Sequence, residues 1–447
     1  MSERGLENEP SEEIPDLTER ISDYNADIAA ERERFNKIDT VEFNASLSES
    51  HNLLGREVSD IVLASAKNML GEEFSNPEEL LSRLERITDQ LDYIRDGFIN
   101  NGEKPAWLRD SVNKYMECLY SWTAGTGLDK LKNDVLEKLP EVKRGIYAQH
   151  IGLYLAFLLQ DETVGCQTGI HLTEDGRCFV WHTEEDVEDA PGERFDKLRV
   201  FFVDGAEFPD GQRRGAFIYP ELLPGSAFCF SEDMLLCTDS LSGADENPEV
   251  SIPANMITWV MWHLGSERET SEILDNLLPT STGYKLNIVK RTPAGIDTDV
   301  VDFVHNSTNQ LKVIPGGTVV SSNRMTNDSF AEAATGTSEG VDKLWHDIYL
   351  SREERATRLS GGLFAKKFGD LEGPGSYKMF RMLCTGTGNA GEEEMGAAFC
   401  NKDVKASMVA SIDSGKIEID VFPGPSDKAD WDNGRRAHFE PGEKLQG

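Results

Sequence analysis

Near residue 145 the chain changes its hydrophobic period, and that change limits the folds open to it. Before it, apolar residues recur at helical spacing. In Pro77–Asn100 the residues Leu80, Leu81, Leu84, Ile87, Leu91 and Ile94 form one stripe, with Asn76 as cap and Pro77 in the first turn. Ile61–Leu70 and Lys130–Leu139 predict further helices, and almost no strand signal interrupts them. After it, short β-compatible runs take over: Thr168–Leu172, Arg177–His182, Leu198–Val203, Ala216–Tyr219, Ala227–Phe230, Leu235–Thr238, Tyr284–Lys290, Asp299–Val304 and Gln310–Val313. A closing pair, Ala406–Ile412 and Lys416–Val421, is joined by Asp413-Ser414-Gly415. Asp175-Gly176 between the first two runs is a hairpin signal, because such turns need residues that tolerate positive φ. Ile257–Leu264 and Thr270–Leu278 are helical by spacing. The expectation is a disordered, Pro- and Glu-rich start (1–15), a helical segment (16–144) and an α+β domain with antiparallel sheets (145–447).

Charge narrows the function classes. There are 45 Lys+Arg against 80 Asp+Glu, a formal net charge of −35. Such a field repels phosphate backbones, so no nucleic-acid partner is expected. No apolar run reaches the about 18 residues of a membrane helix. The opening MSERGLENEPSEEIPD lacks the basic and then apolar order of an export signal, which points to a cytoplasmic protein. The seven cysteines are Cys118, Cys166, Cys178, Cys229, Cys237, Cys384 and Cys400. No pair has CxxC spacing, which speaks against a disulfide framework or a zinc site, and most are expected to be small buried hydrophobes.

Cys166 is the exception worth weighing. It follows Gly165 at the head of the first hairpin, where the helical segment gives way to strands. One reading is an ordinary buried strand cysteine. The other is a nucleophile freed by cleavage of the Gly165–Cys166 bond, so that its own α-amine becomes the base. A free α-amine titrates near roughly 8, close enough to neutrality to take a proton from a thiol that is only slightly ionised there.

The text around Cys166 resembles the acyl-coenzyme A:isopenicillin-N acyltransferase-like family of N-terminal-nucleophile cysteine hydrolases. The resemblance begins with Gly165-Cys166-Gln167-Thr168 and Asp175-Gly176. His182-Thr183-Glu184-Glu185-Asp186 stands where the family has a His-Asn-Glu-Asp-like stretch, and Tyr219-Pro220-Glu221-Leu222-Leu223-Pro224-Gly225 matches its Leu-Pro-Gly turn. Thr238-Asp239-Ser240, Ser281-Thr282-Gly283-Tyr284, Ser321-Ser322-Asn323-Arg324, Ser351-Arg352 with Arg355, Arg381 and Phe422-Pro423-Gly424-Pro425 follow in the family's order. The match covers about residues 145–425.

The resemblance implies an αββα sandwich preceded by a helical pro-segment, self-cleavage between Gly165 and Cys166, and a leader that stays on as partner chain. It implies Cys166 as nucleophile, a carboxylate among Glu184, Glu185 and Asp186 to orient the amine, Asn323 as an oxyanion donor, and Arg381 to steady a carboxylate. The implied reaction is hydrolysis of a small-molecule amide, or acyl transfer, with no cofactor and no metal. Three departures stand out: Thr183 replaces the family's asparagine, Arg324 replaces a histidine, and Gln167 replaces a small residue. Two rival readings are a non-catalytic relative that keeps its leader, and a cysteine protease with His182, His263 or His305 as base. Without a paired ligand spacing, His171 and His182 read as strand or hydrogen-bonded histidines rather than metal ligands, and Trp259 and Trp262 as core.

Overall fold

A computed structural model describes residues 38–72, 76–160, 165–185, 199–241, 250–321, 404–423 and 437–442. The first part is a stack of helices: α1 (Leu47–Glu57), α2 (Ser59–Glu72), α3 (Pro77–Ile94), α4 (Ala106–Thr126), α5 (Lys132–Lys138), α6 (Glu141–Tyr147) and α7 (Ile151–Gln160). The stripe read from the sequence explains α3, whose Leu80, Leu84, Ile87 and Ile94 are buried. Asn76 Oδ1 accepts the Glu78 N–H at 3.0 Å, and Pro77 occupies the first turn. Two glycines let α1 and α4 cross at backbone contact. A Cβ on Gly55 would lie 2.5 Å from the Trp122 carbonyl oxygen, and one on Gly125 would lie 2.1 Å from that of Asn52.

Two sheets follow. The first has the order β1-β4-β5-β6-β7-β8-β9-β10, built from Asp39–Glu42, Arg199–Val203, Arg214–Ile218, Phe228–Phe230, Met234–Ser240, Gly283–Thr292, Gly295–Val304 and Ser307–Lys312. The second has the order β11-β2-β3-β12-β13-β14, built from Thr318–Ser321, Gly165–Leu172, Cys178–Glu185, Val404–Ile412, Ile417–Pro423 and Ala437–Phe439. Every pairing in them is antiparallel except β1 with β4. Between β7 and β8 lie α8 (Ala254–Leu264) and α9 (Thr270–Leu277). The chain is therefore α+β, as expected, and both hairpins form at their turns. Gly176 takes φ 82°, and Asp413 Oδ1 accepts the Gly415 and Lys416 N–H groups at 2.6 and 3.0 Å.

Strand β1 corrects the expectation of a leader with almost no strand signal. Asp39–Glu42 is mostly exposed and shows no alternating apolar face, so periodicity could not reveal it; it is held by parallel pairing to β4. The 144/145 boundary also falls inside α6, and α7 beyond it packs with the leader helices in one apolar layer.

Two apolar layers hold the molecule together. One lies between the helices and the outer face of the eight-stranded sheet, where Trp122, Phe201, Trp259, Trp262, Ile288 and Phe303 meet. The other lies between the sheets, with Ile170, Val180, Phe217, Phe228, Val289 and Met408. Trp259 and Trp262 are core, as read. None of the described cysteines forms a disulfide with another described residue and all are buried, and burial pushes the thiols of Cys118, Cys178, Cys229 and Cys237 upward. Among the described residues no helix is long and apolar enough to cross a membrane.

His51 of α1 sits in the first layer, ringed by Phe201, Trp259 and Trp262 at centroid distances of 5.5 to 6.3 Å. Its Nδ1–H donates to the Leu47 carbonyl at 2.7 Å, while Nε2 is buried without a hydrogen-bond partner among the described residues. Burial holds its titration down at about 4, against an ordinary value of 6.5. Protonation below the ordinary value therefore favours the unfolded chain. Its contribution to stability is full above about pH 6.5, declines as pH falls toward 4, and totals about 3 kcal/mol. We predict that the difference in unfolding free energy between the wild-type protein and His51→Phe, from urea titrations at stepped pH, changes by about that amount across this window. A difference that stays constant with pH would contradict it.

Candidate active site

The site grows from one hairpin. Counting outward from the Asp175-Gly176 turn, Leu172 pairs with Cys178, Thr168 with His182 and Cys166 with Glu184. The ring of Trp181 fixes that register by lying across Gly169, where a Cβ would come within 1.9 Å of it. Because side chains alternate along a strand, Cys166, Thr168, His182 and Glu184 all face the other sheet. A slip of one residue between the strands would turn one of the two pairs, Cys166 and Thr168 or His182 and Glu184, away.

In this arrangement the Cys166 thiol donates to Glu184 Oε2 at 3.3 Å, and the Tyr219 hydroxyl donates to the same oxygen at 2.7 Å. Glu184 Oε1 is bonded to His182 Nε2. On the other side of the ring, Nδ1 lies 2.7 Å from Thr168 Oγ1, which in turn donates to Asp239 Oδ1 at 2.8 Å. Asp239 Oδ2 accepts the Asn287 amide at 2.7 Å, and Asn287 Oδ1 accepts the Ser321 hydroxyl at 2.6 Å. Every one of these side chains is buried.

Burial raises the Asp239 carboxyl above the ordinary carboxylate range, an effect opposed by His182, Lys285, Thr168 and Asn287. Lys285 is its cross-strand neighbour and lies 3.8 Å from Asp302, both of them without exposed surface. The inner layer thus changes character along the strands. It is apolar at Ile170, Val180, Leu235, Val289 and Val300, and polar from Cys166, Glu184, Asp239 and Lys285 outward.

Of the residues singled out from the sequence, the structure brings Cys166 and Glu184 together. Gly165 opens β2, opposite Glu185. The side chain of Glu185, and all of Asp186, Asn323 and Arg381, lie outside the described residues. His182 is a hydrogen-bonded strand histidine, as read, and of the three histidines weighed as a base it is the one in this cluster, with its Nε2 on Glu184. Sequence reasoning named Thr168, Tyr219 and Asp239 within motifs but gave none of them a role of its own. The signal for Thr168 was available, since the turn sets the pairing and alternation puts every second residue on one face.

Cys166 Sγ, a His182 nitrogen and an Asp239 oxygen lie within 4.8 Å of one another, a donor set that suits a borderline divalent ion. The Thr168 hydroxyl, however, already stands between His182 Nδ1 and Asp239 Oδ1. A second trio, Glu418, His438 and Glu440, receives its positive charge from Lys416, whose Nζ lies 2.7 Å from Glu418 and 3.0 Å from Glu440.

In comparisons with known proteins, no family model matches the chain and no curated protein does. The geometry of the site therefore carries the functional argument. Chemically, the arrangement holds a thiol against a buried carboxylate that could take its proton, with further donors on that carboxylate. Tyr219 is one of those donors, and hydrogen bonds to charged groups are worth about 1.5–3 kcal/mol. Tyr219→Phe should lower the unfolding free energy by about that amount in urea titrations. Unchanged stability would show that Glu184 does not need this bond.

Proposed function

We propose that the chain is an N-terminal-nucleophile cysteine amidohydrolase that releases its own nucleophile by cutting between Gly165 and Cys166. The observation that carries this reading is the placement of Cys166. It is the second residue of β2, one step after the strand begins, and its thiol is 3.3 Å from a fully buried carboxylate. A cut before it would leave the nucleophile as the first residue of a strand in the middle of a sheet, with the α-amine beside the thiol. Two facing sheets, antiparallel but for β1 with β4, with helices against the outer face of one, support the αββα sandwich that the resemblance implies.

In the uncut chain Cys166 has no free α-amine, so Glu184 is the base. It takes the thiol proton, sulfur bonds to the Gly165 carbonyl carbon, and the Gly165–Cys166 C–N bond breaks. The freed nitrogen gains the proton from Glu184. Water then splits the thioester, giving the Gly165 carboxylate and restoring the thiol. In the cut protein the same thiol attacks a small amide, with the α-amine carrying the proton and Glu184 orienting it. Asn323 and backbone N–H groups are the donors the resemblance offers for the oxyanion, and Arg381 a partner for a carboxylate. With an amine in place of water the same steps give an acyltransferase, the runner-up reading.

Intact mass spectrometry tests the proposal. Purified protein should appear as two chains, residues 1–165 and 166–447, and N-terminal sequencing of the larger should begin Cys-Gln-Thr. Cys166→Ala should remain one full-length chain, whereas Cys118→Ala, altered in the leader core, should still be cut. A single intact wild-type chain whose Cys166 does not react with iodoacetamide would overturn the reading.

A further inference from the structure

The groups behind Glu184 can be counted proton by proton. Thr168 has one hydroxyl hydrogen, yet its oxygen is within hydrogen-bond distance of both His182 Nδ1 and Asp239 Oδ1. One of those two bonds must therefore be donated to it. The Asn287 amide is pinned, since its Oδ1 accepts from Ser321 and its Nδ2 faces Asp239 Oδ2. This leaves Asp239 Oδ1 as the oxygen free to exchange a proton with Thr168. At the far end, His182 Nε2 must carry a hydrogen to bond an ionised Glu184.

Two arrangements satisfy every bond with the same heavy-atom positions. In one, His182 is neutral, Asp239 is a carboxylic acid that donates to Thr168, and Thr168 donates to Nδ1. In the other, His182 is an imidazolium that donates through Nδ1 to Thr168, and Thr168 donates to an Asp239 carboxylate. They differ by the passage of one proton from Asp239 to His182 through the Thr168 hydroxyl. Each end has what it needs. A charged Asp239 has Lys285 and the Asn287 amide at hand, and a charged His182 lies within 4.8 Å of the Cys166 sulfur. Among the described residues, the other ionisable groups facing the cluster are Tyr219 on Glu184, Cys237 on the strand of Asp239, and Asp302 beside Lys285.

We propose that Asp239, Thr168 and His182 form a proton relay behind Glu184 that places a positive charge on His182 as the Cys166 thiol loses its proton. The relay rests on the reading of Cys166 as nucleophile. Protons balance in the step. The thiol gives its proton to Glu184 Oε2, Thr168 gives its hydrogen to His182 Nδ1, and Asp239 gives its own to Thr168. Sulfur and Asp239 become anions, Glu184 becomes neutral and His182 becomes a cation, so the net charge of the cluster is unchanged. The positive charge arrives where negative charge develops, and the counter-charge forms on the other sheet, on Asp239 beside Lys285. Thr168, His182 and Asp239 are thus positioning residues, acting through Glu184 without touching the reacting carbonyl.

Thr168→Val tests the relay, because valine keeps the branched shape and removes only the hydroxyl. Two readouts are needed. Self-cleavage is followed from cell-free synthesis, and the Cys166 thiol is titrated by its ultraviolet thiolate absorbance, as the difference between each protein and its Cys166→Ala counterpart. Thr168→Val should slow cleavage about tenfold or more and move the thiol titration upward, and Thr168→Ser should restore both. Wild-type cleavage and an unshifted titration in Thr168→Val would overturn the relay while leaving the nucleophile reading intact. If no protein is cut but the titration moves with valine and returns with serine, the relay stands and the self-cleavage reading falls. Should Thr168→Val not fold, Asp239→Asn serves instead, since it keeps the shape of the acid without its proton. Slow cleavage with a raised titration then supports the relay, and wild-type values for both overturn it.

Discussion

Two carboxylates, Glu184 and Asp239, are buried between the sheets, and much of the structure around them follows from keeping them supplied with donors. An isolated buried carboxylate is far too costly to persist in its charged form. Glu184 draws its donors from β2, β3 and the segment after β5; Asp239 draws its own from β2 and β8. No single element could furnish these sets. Glu184–Tyr219, Thr168–Asp239 and Asn287–Ser321 each run from one sheet to the other, so a polar seam joins the sheets at the end where their shared core stops being apolar. An apolar interface fixes distance but tolerates sliding, whereas hydrogen bonds of this kind are satisfied at one registration only.

The register of the β2–β3 hairpin transmits that constraint back to the sequence. Asp175-Gly176 sets the turn, and the Gly169–Trp181 pair locks the strands, so Cys166 must stand opposite Glu184. This is why the hairpin was legible from residues alone: turn chemistry and alternation are local. The helical leader was legible for the same reason, through the stripe of α3. What stayed hidden depends on partners distant in the chain. Strand β1 exists because β4 offers it a free edge. Thr168 and Tyr219 acquire roles only when β7 and β3 come to meet them, and no spacing in the sequence announces such a meeting. Nothing in the order Glu184-Glu185-Asp186 ranks the three, and of their side chains the structure describes that of Glu184, opposite Cys166.

The charge of −35 has little to do with this seam. The acidic excess repels itself through solvent and is screened by salt over about 10 Å or less, whereas Arg199, Arg214 and Lys285 are buried. Arg214 donates to the Trp262 carbonyl at 2.9 Å and to Asp210 at 2.6 Å, and Lys285 lies between two acids. With Arg199 on Glu57, these three buried cations are committed to particular partners. Ionic strength can act strongly on the surface while the cluster around Cys166 keeps its own balance of charge.

The leader's attachment follows the same division between apolar area and directed bonds. Its helices share one core with the outer face of the eight-stranded sheet, and β1 is a strand of that sheet. Gln160, at the end of α7, accepts from the Leu223 N–H at 3.0 Å and from Asn255 at 2.6 Å, and donates to the Glu221 carbonyl at 2.8 Å. Ser65 reaches the Glu221 carboxylate at 2.7 Å, and Glu207 accepts from the first N–H of α1 at 2.7 Å. A cut before Cys166 would break one covalent bond and none of these contacts. Removing the leader would instead expose the faces of Phe201, Trp259 and Trp262 and open the edge of β4, costs of burial and pairing that one peptide bond does not carry. The two halves are therefore parts of one folding unit, whether or not the chain between them is continuous.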